Sequence, residues 1–202
     1  MATDTRERII NASAELFARQ GYAGTGVKQI VAAAHAPFGS IYHHFPGGKE
    51  QIGAETIRSS GALYGLLIEA VIDPAPDLVS GIRDFFAGAA EHLRDSDYAD
   101  ACPIATVALE VASTSQPLRQ ATDEVFESWL AAIGERFRAG GIAEEGAREL
   151  SLQILSLLEG AFILCRSSRR TEALDAAGAA AATAVEEALR SRTSTGQARA
   201  IS

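Results

Sequence analysis

Apolar residues recur at helical spacing almost from the start of the chain. Ile9, Ser13, Leu16 and Phe17, with Ile10 and Ala12 beside them, fall on one face of a 3.6-residue repeat and predict a first amphipathic helix. Asp4 is placed to cap it, with Glu7 reaching back three residues later, and Gly21 ends it, because glycine takes the left-handed conformation without steric cost. After Tyr22-Ala23-Gly24-Thr25-Gly26 a short helix is expected over Val27 to Ala34, with Val27, Ile30, Val31 and Ala34 on one side. A break at His35-Ala36-Pro37 leads to a third helix, Phe38 to His44, closed by Pro46-Gly47-Gly48; Phe38, Ile41 and Phe45, three and four apart, are its expected anchors. Two helices of about two turns joined by a break of about three residues have the shape of a helix-turn-helix.

A longer helix is expected from Lys49 through Ile52, Ile57 and Leu63 to Ile72, where Asp73-Pro74-Ala75-Pro76 stops it. Asp77 is a cap for a helix over Leu78 to Leu93, the acidic stretch Arg94 to Asp100 reads as a loop, and Cys102 to Val111 as a short helix. Ser115-Gln116-Pro117 opens a helix reaching Arg138, ended by Gly140-Gly141. Glu144 to Arg166 is apolar on more than one face, so it needs cover on two sides. Thr171 to Arg190 is an alanine-rich helix, and the polar residues beyond Ser191 lack periodicity and are expected to be disordered. The alternation of strands is absent and no proline follows Pro117. The fold class expected is all-α, with functional segments 1–58, 59–192 and a tail, 193–202.

Composition first narrows the function and then misleads. The 202 residues are 47% hydrophobic and 22% charged, with a mean hydropathy of +0.05, as in a soluble globular protein. No run approaches the roughly 18 uncharged apolar residues that span a bilayer, and the N-terminal residues show no apolar secretory segment, so no membrane partner and a cytoplasmic location are expected. Two cysteines, Cys102 and Cys165, are too few for a disulfide framework or a metal cluster. A net charge of −8 and a pI near 5.0 argue against nucleic acid. The charge is uneven, however. Residues 1–58 hold six Lys or Arg against five Asp or Glu, whereas the remainder holds 12 against 21. The acidity therefore belongs to the C-terminal part and constrains DNA binding to a small, local surface.

The third helix devotes Ser40, Tyr42, His43 and His44 to a region that would otherwise add core. Gly39 at its start lets a partner backbone approach closely, hydroxyls and imidazoles donate to phosphate oxygens, and Lys49 lies at the start of the next helix. Tyr42 has two readings, outward-facing or packed on the first helix. Lys28 is either a solvated lysine or a phosphate contact. His43 and His44, as neighbours on a helix, point about 100° apart and have no acidic or Cys partner nearby, so no metal site is expected; no cofactor is expected either.

The order of amphipathic helix, Gly-Tyr, Thr, short helix, then Gly39-Ser40-Ile41-Tyr42-His43-His44-Phe45 and Gly48-Lys49-Glu50 resembles the N-terminal signature of the TetR family of bacterial transcriptional regulators. Cys102-Pro103-Ile104-Ala105, leading to Ala108-Leu109-Glu110, and Leu158-Glu159-Gly160-Ala161 resemble its LmrA/YxaF-like subgroup. The resemblance implies that the third helix enters the major groove. It also implies that Thr25, Tyr42, His44 and Lys49 match phosphate-contacting positions, and that Gly39, Ser40 and His43 match those nearest base edges. Gly26 departs from the usual Ser or Thr, making Thr25 the substitute to watch, and His35-Ala36-Pro37 replaces the usual turn, with histidine tolerant of the left-handed conformation.

The resemblance further implies a C-terminal bundle that binds a small-molecule effector and pairs with a second copy through its last two helices, so the expected partners are double-stranded operator DNA, a second chain and an unknown effector. Phe85, Phe86, Cys102, Phe126, Trp129 and Phe162 are candidate effector contacts, each with a core role as its plainer alternative. Leu155, Leu158, Phe162, Leu174, Ala181 and Val185 are candidate dimer contacts. Glu110 and Glu159, within apolar stretches where an unpaired carboxylate is costly, are expected to pair with an Arg, with recognition of a cationic ligand as the alternative. A ligand-binding bundle without operator binding is the alternative function. A cavity enzyme using Cys102 or His92 is a further one, which no Cys-His-Asp or Ser-elbow spacing supports; no catalytic residue is expected.

Overall fold

The computed structural model describes residues 4–100 and 102–199, with side chains described to Ser191. Among these residues the regular structure is helical throughout: α1 (Thr5–Gln20), α2 (Val27–Ala33), α3 (Ser40–His44), α4 (Gly48–Ile72), α5 (Leu78–Asp95), α6 (Pro103–Val111), α7 (Gln116–Ala139), α8 (Glu144–Ser168) and α9 (Glu172–Arg199). The all-α expectation holds, and most boundaries lie within two residues of those read from the sequence. The largest difference is α9, expected to end at Arg190. Its helix continues through 193–199 of the expected tail, whose last residues, 200–202, lie outside those described.

The chain packs as two compact units, Met1–Tyr64 with Ala99–Phe126, and Gly65–Tyr98 with Glu127–Ser202. This differs from a division after Arg58, because α4 runs unbroken through that point and because α6 and the start of α7 pack with the N-terminal helices. In the first unit Ile9, Ile10 and Ala12 of α1 meet Ile30 and Val31 of α2, Ala34, Ile41 of α3, Phe45, and Ile52 of α4 in one apolar core. The unit continues where Gly53 and Gly61 of α4 face α7. A Cβ at Gly53 would lie 2.8 Å from Leu118 and 2.9 Å from Tyr22, and one at Gly61 would collide with both methyls of Val125. In the second unit α9 packs on α5 and α8 through small residues. Ala177, Ala181 and Ala182 are buried, and Gly178 lies against Phe86, whose Cβ would be 2.7 Å from a side chain there.

Local chemistry explains the helix ends. Gly21 (φ 76°) donates to the Phe17 carbonyl at 3.0 Å, and Asp77 accepts the Ser80 amide at 2.8 Å, both as expected. Asp4 occupies the cap position of α1, but its carboxylate makes no capping bond. His35 is left-handed (φ 48°). Its amide bonds to Ala32 O at 3.2 Å and that of Ala36 to Val31 O at 3.1 Å, the paired bonds of a Schellman ending for α2. α8 is long and apolar enough to cross a bilayer by length and composition. Its face from Ala147 through Leu150, Ile154, Leu158 and Ala161 to Cys165 is nevertheless buried within the chain.

Candidate nucleic-acid interface

α3 is short because Pro37-Phe38-Gly39 forms a turn before it, closed by Ser40 N donating to Pro37 O at 2.9 Å. Ile41 and Phe45 alone anchor it, both fully buried. Phe38, expected as a third anchor, is 48% exposed. It precedes the helix, so the three- and four-residue spacing that would bury it does not apply. Its ring instead meets Tyr42 edge-on, with centroids 6.2 Å apart. Tyr42 is 62% exposed, which decides between its two readings in favour of the outward one. His43 and Gly39 are exposed, Ser40 and His44 partly so. A Cβ at Gly39 would meet nothing within 4 Å, so that end of the helix is open to a partner. Gly39, Ser40, Tyr42 and His43 thus share the accessible side of α3, and Lys28 on α2 is exposed as well.

Two expected phosphate contacts are built differently. Thr25 is fully buried, with its hydroxyl donating to Gly21 O at 2.7 Å and accepting from Gln20 Nε2 at 3.1 Å. It therefore ties the α1–α2 loop together and does not replace the hydroxyl missing at Gly26. Instead the Gly26 amide donates to Gln29 Oε1 at 2.6 Å, so a glutamine three residues on closes the start of α2. Lys49 is turned towards the protein. Its Nζ lies 4.1 Å from the centre of the half-buried Tyr22 ring, and burial pushes its pKa below the ordinary lysine value, partly offset by the Glu110 carboxylate. Tyr22, held edge-on to Phe17 at 5.6 Å, has its phenol pushed upward by burial and then by Glu50.

Glu110 meets a backbone amide and not the arginine expected of it. Its Oε2 accepts the Ala23 amide at 2.6 Å, and its Oε1 occupies the space a side chain at Gly21 would need. The apolar surroundings in the sequence flagged this carboxylate; its contact, 87 residues away in the chain, had no local signal.

The six candidate effector residues are divided between the two units. Cys102 and Phe126 belong to the first unit, Phe85, Phe86, Trp129 and Phe162 to the second. The sulfur of Cys102 accepts the Ala105 amide at 3.4 Å and caps α6. Phe86 is 2% exposed in the α5–α9 core, in keeping with the plainer of its two readings, and Trp129 is buried with its indole edge against Gly65. Phe85 and Phe162 are partly exposed. A cavity of about 540 Å³ in the first unit is lined by Arg6, Glu7, Ile10, Asn11, Glu55, Arg58 and Ser59, none of them among those six.

The dimer candidates need a similar correction. Leu158, Leu174, Ala181 and Val185 are buried inside the protomer, and Leu155 and Phe162 are half-buried. α8 has two apolar faces, and of the residues chosen on it Leu158 lies on the inner one while Leu155 and Phe162 lie at its margin. Leu152, Leu157, Ile163 and Leu164 form its exposed outer face.

Residues 9–56 match the family model described as bacterial regulatory proteins of the tetR family, and residues 79–180 the LmrA/YxaF-like transcriptional regulator C-terminal domain. The HTH-type transcriptional regulator YxaF of Bacillus subtilis (strain 168) is 36% identical over 166 residues, covering 82% of this chain and 87% of that protein. The HTH-type transcriptional regulator LmrA of the same organism is 32% identical over 171 residues, covering 85% and 91%. The crystal structure of regulatory protein TetR from Rhodobacter sphaeroides shares the fold, with a TM-score of 0.79 at 22% identity over 88% of this chain and 97% of that one.

Proposed function

Because the chain belongs to the TetR family of bacterial transcriptional regulators, in its LmrA/YxaF-like group, we propose that it is a repressor that binds a pseudo-palindromic operator as a homodimer and is released by a small effector. The observation that carries this reading is the outward face of α3. A five-residue helix held by two buried anchors presents Tyr42, His43, Ser40 and an unobstructed Gly39 to solvent. A major groove about 12 Å wide admits such a helix. Ser40 and His43 donate to base edges, Gly39 allows close approach, and Tyr42, His44, Lys28 and Lys49 contact phosphates. Phe38, beside Tyr42, offers an apolar contact of the kind thymine methyls accept.

Residues 1–58 serve DNA and 59–192 serve pairing and effector binding. Two copies pair through the outer face of α8 together with α9 in a four-helix interface. They then set two recognition helices about 34–36 Å apart, one turn of DNA. The effector shifts a two-state equilibrium in which displacement of α4 spoils this spacing, and a coupling of about 1–3 kcal/mol gives roughly 5- to 150-fold release. The site of action is the cytoplasm, at the nucleoid. A gel-shift with DNA flanking the protein's own gene tests the reading. Retardation that disappears when Tyr42 and His43 are both replaced by alanine supports it, and no retardation by the unaltered protein contradicts it.

A further inference from the structure

Ile41 and Phe45 are the two buried anchors of α3. They hold a five-residue helix against the core, but neither opposes rotation about the line that joins them. The chain that follows adds little restraint of its own, because Pro46 leads into Gly47 and the left-handed Gly48 (φ 64°), and glycine is the least restricted backbone. Side chains of α4 and α1 supply the restraint instead. The Gly47 amide, on an exposed turn, donates to Gln51 Oε1 at 2.8 Å. Gln51 Nε2 donates in turn to Glu55 Oε1 at 2.8 Å, and Glu55 Oε2 accepts from the Arg6 guanidinium of α1. Arg6 lies over the ring of Phe45, 5.6 Å from its centre. The contacts form a closed circuit that starts at Gly47, just after α3, and returns to the helix end at Phe45. A Cβ at Gly47 would lie 3.0 Å from that of Gln51, so the turn sits directly on the side chain that holds it.

We propose that Gln51 and Glu55 are positioning residues for the recognition helix: from successive turns of α4 they tether the α3–α4 turn by the Gly47 amide and hold Arg6 against Phe45, and so fix the orientation in which α3 meets the major groove. The proposal rests on the DNA-binding reading above. The circuit lies at the surface, with Arg6 exposed and Gln51 and Glu55 part-buried. Ion pairs in such places add little to stability, so the effect of the circuit falls on orientation. Base contacts need the helix in one orientation, whereas attraction to phosphates does not. Loosening the circuit therefore lowers affinity for a specific sequence and largely spares affinity for DNA in general.

The test measures, by fluorescence anisotropy, the ratio of affinities for two labelled duplexes of equal length, one from the DNA flanking the protein's own gene and one of random sequence. The proteins are wild type, Gln51→Met, Glu55→Met and the double variant. Methionine keeps the length of each side chain and removes its hydrogen bonds, and the charge lost at Glu55 changes both affinities alike and cancels in the ratio. Gln51→Met is expected to lower the ratio about fivefold with the unfolding midpoint unchanged, and the double variant to fall no further than the lower single variant, because both break one circuit. An unchanged ratio overturns the proposal, as do single effects that add in the double variant. So does an equal loss on both duplexes with a lowered midpoint, the mark of a merely structural role. In each of these cases a wild-type preference for the flanking DNA leaves the DNA-binding reading standing, whereas a wild type without that preference overturns both. Hydrogen exchange supplies a readout without DNA. Gln51→Met speeds exchange of the Gly47 amide at least about tenfold while that of Phe45, bonded to Ile41 O at 2.6 Å, is unchanged; unaltered exchange at Gly47 overturns the tether.

Discussion

The ammonium group of Lys49 lies 4.1 Å above the ring of Tyr22, which joins the first residues of α4 to the turn after α1. A partly buried cation–π contact contributes about 1 kcal/mol, between the exposed and desolvated limits, so this contact positions Lys49 more than it stabilises the fold. Lys49→Ala should leave thermal unfolding nearly unchanged, weaken binding to DNA of any sequence, and flatten the plot of log affinity against log salt by about 0.9, the contribution of one phosphate. A salt titration with unchanged affinity and slope would remove Lys49 from the interface.

At Gly61 α4 lies close against α7 in the first unit, with the Val125 methyls in the space a Cβ would fill. Gly61→Ala raises helix propensity yet overpacks this contact, and the second effect dominates because both neighbours are branched carbons of a buried side chain. The expected cost is about 1–3 kcal/mol in urea unfolding. Gly39→Ala, with open space around it, should change stability by less than about 0.5 kcal/mol and be felt only in DNA binding.

Leucines on the two faces of the α8–α9 pair should respond differently to charge. Leu164 is 61% exposed and Leu174 fully buried. Leu164→Glu is expected to give a folded monomer in sedimentation velocity, with the helical circular dichroism retained. Leu174→Glu buries an unpaired carboxylate and is expected to unfold the second unit. A dimer that survives Leu164→Glu would place the interface elsewhere.

Asp77 caps α5, and its carboxyl is held below its ordinary value of 3.8, chiefly by the backbone hydrogen bond from Ser80. A depressed native pKa means that the stabilisation is present above the unfolded value and is lost as pH falls through the native one. Asp77→Ala should therefore lower the unfolding midpoint at pH 7, with the gap from wild type closing below about pH 3.8. A gap that stays constant into acid would show that the charge is not responsible.

Much of this was legible in the chain because periodicity, glycine and proline are local signals. The helices, the turn at His35 and the Asp77 cap follow from spacing and backbone preference alone, and so does the placing of Ile41 and Phe45 inside. What was not legible depended on partners distant in sequence. Thr25 has the chemistry of a phosphate contact, but the Gly21 carbonyl and Gln20 claim its hydroxyl. Spacing could not tell which apolar face of α8 is inner, because both faces carry leucines and the packing of α7 and α9 decides between them. The cut after Arg58 followed the end of the recognisable motif, whereas packing follows α4 onward and brings α6 beside α1.

Operator reading by the α3 surface of a symmetric pair, as proposed above, leaves a footprint of definite form. Hydroxyl-radical footprinting of the purified protein on the DNA flanking its own gene tests it most directly. Two protected half-sites related by dyad symmetry are expected, with centres about one helical turn apart or a multiple of it, and loss of both in the Tyr42→Ala/His43→Ala variant at unchanged stability. A single unsymmetrical footprint, or protection that persists in that variant, would contradict it.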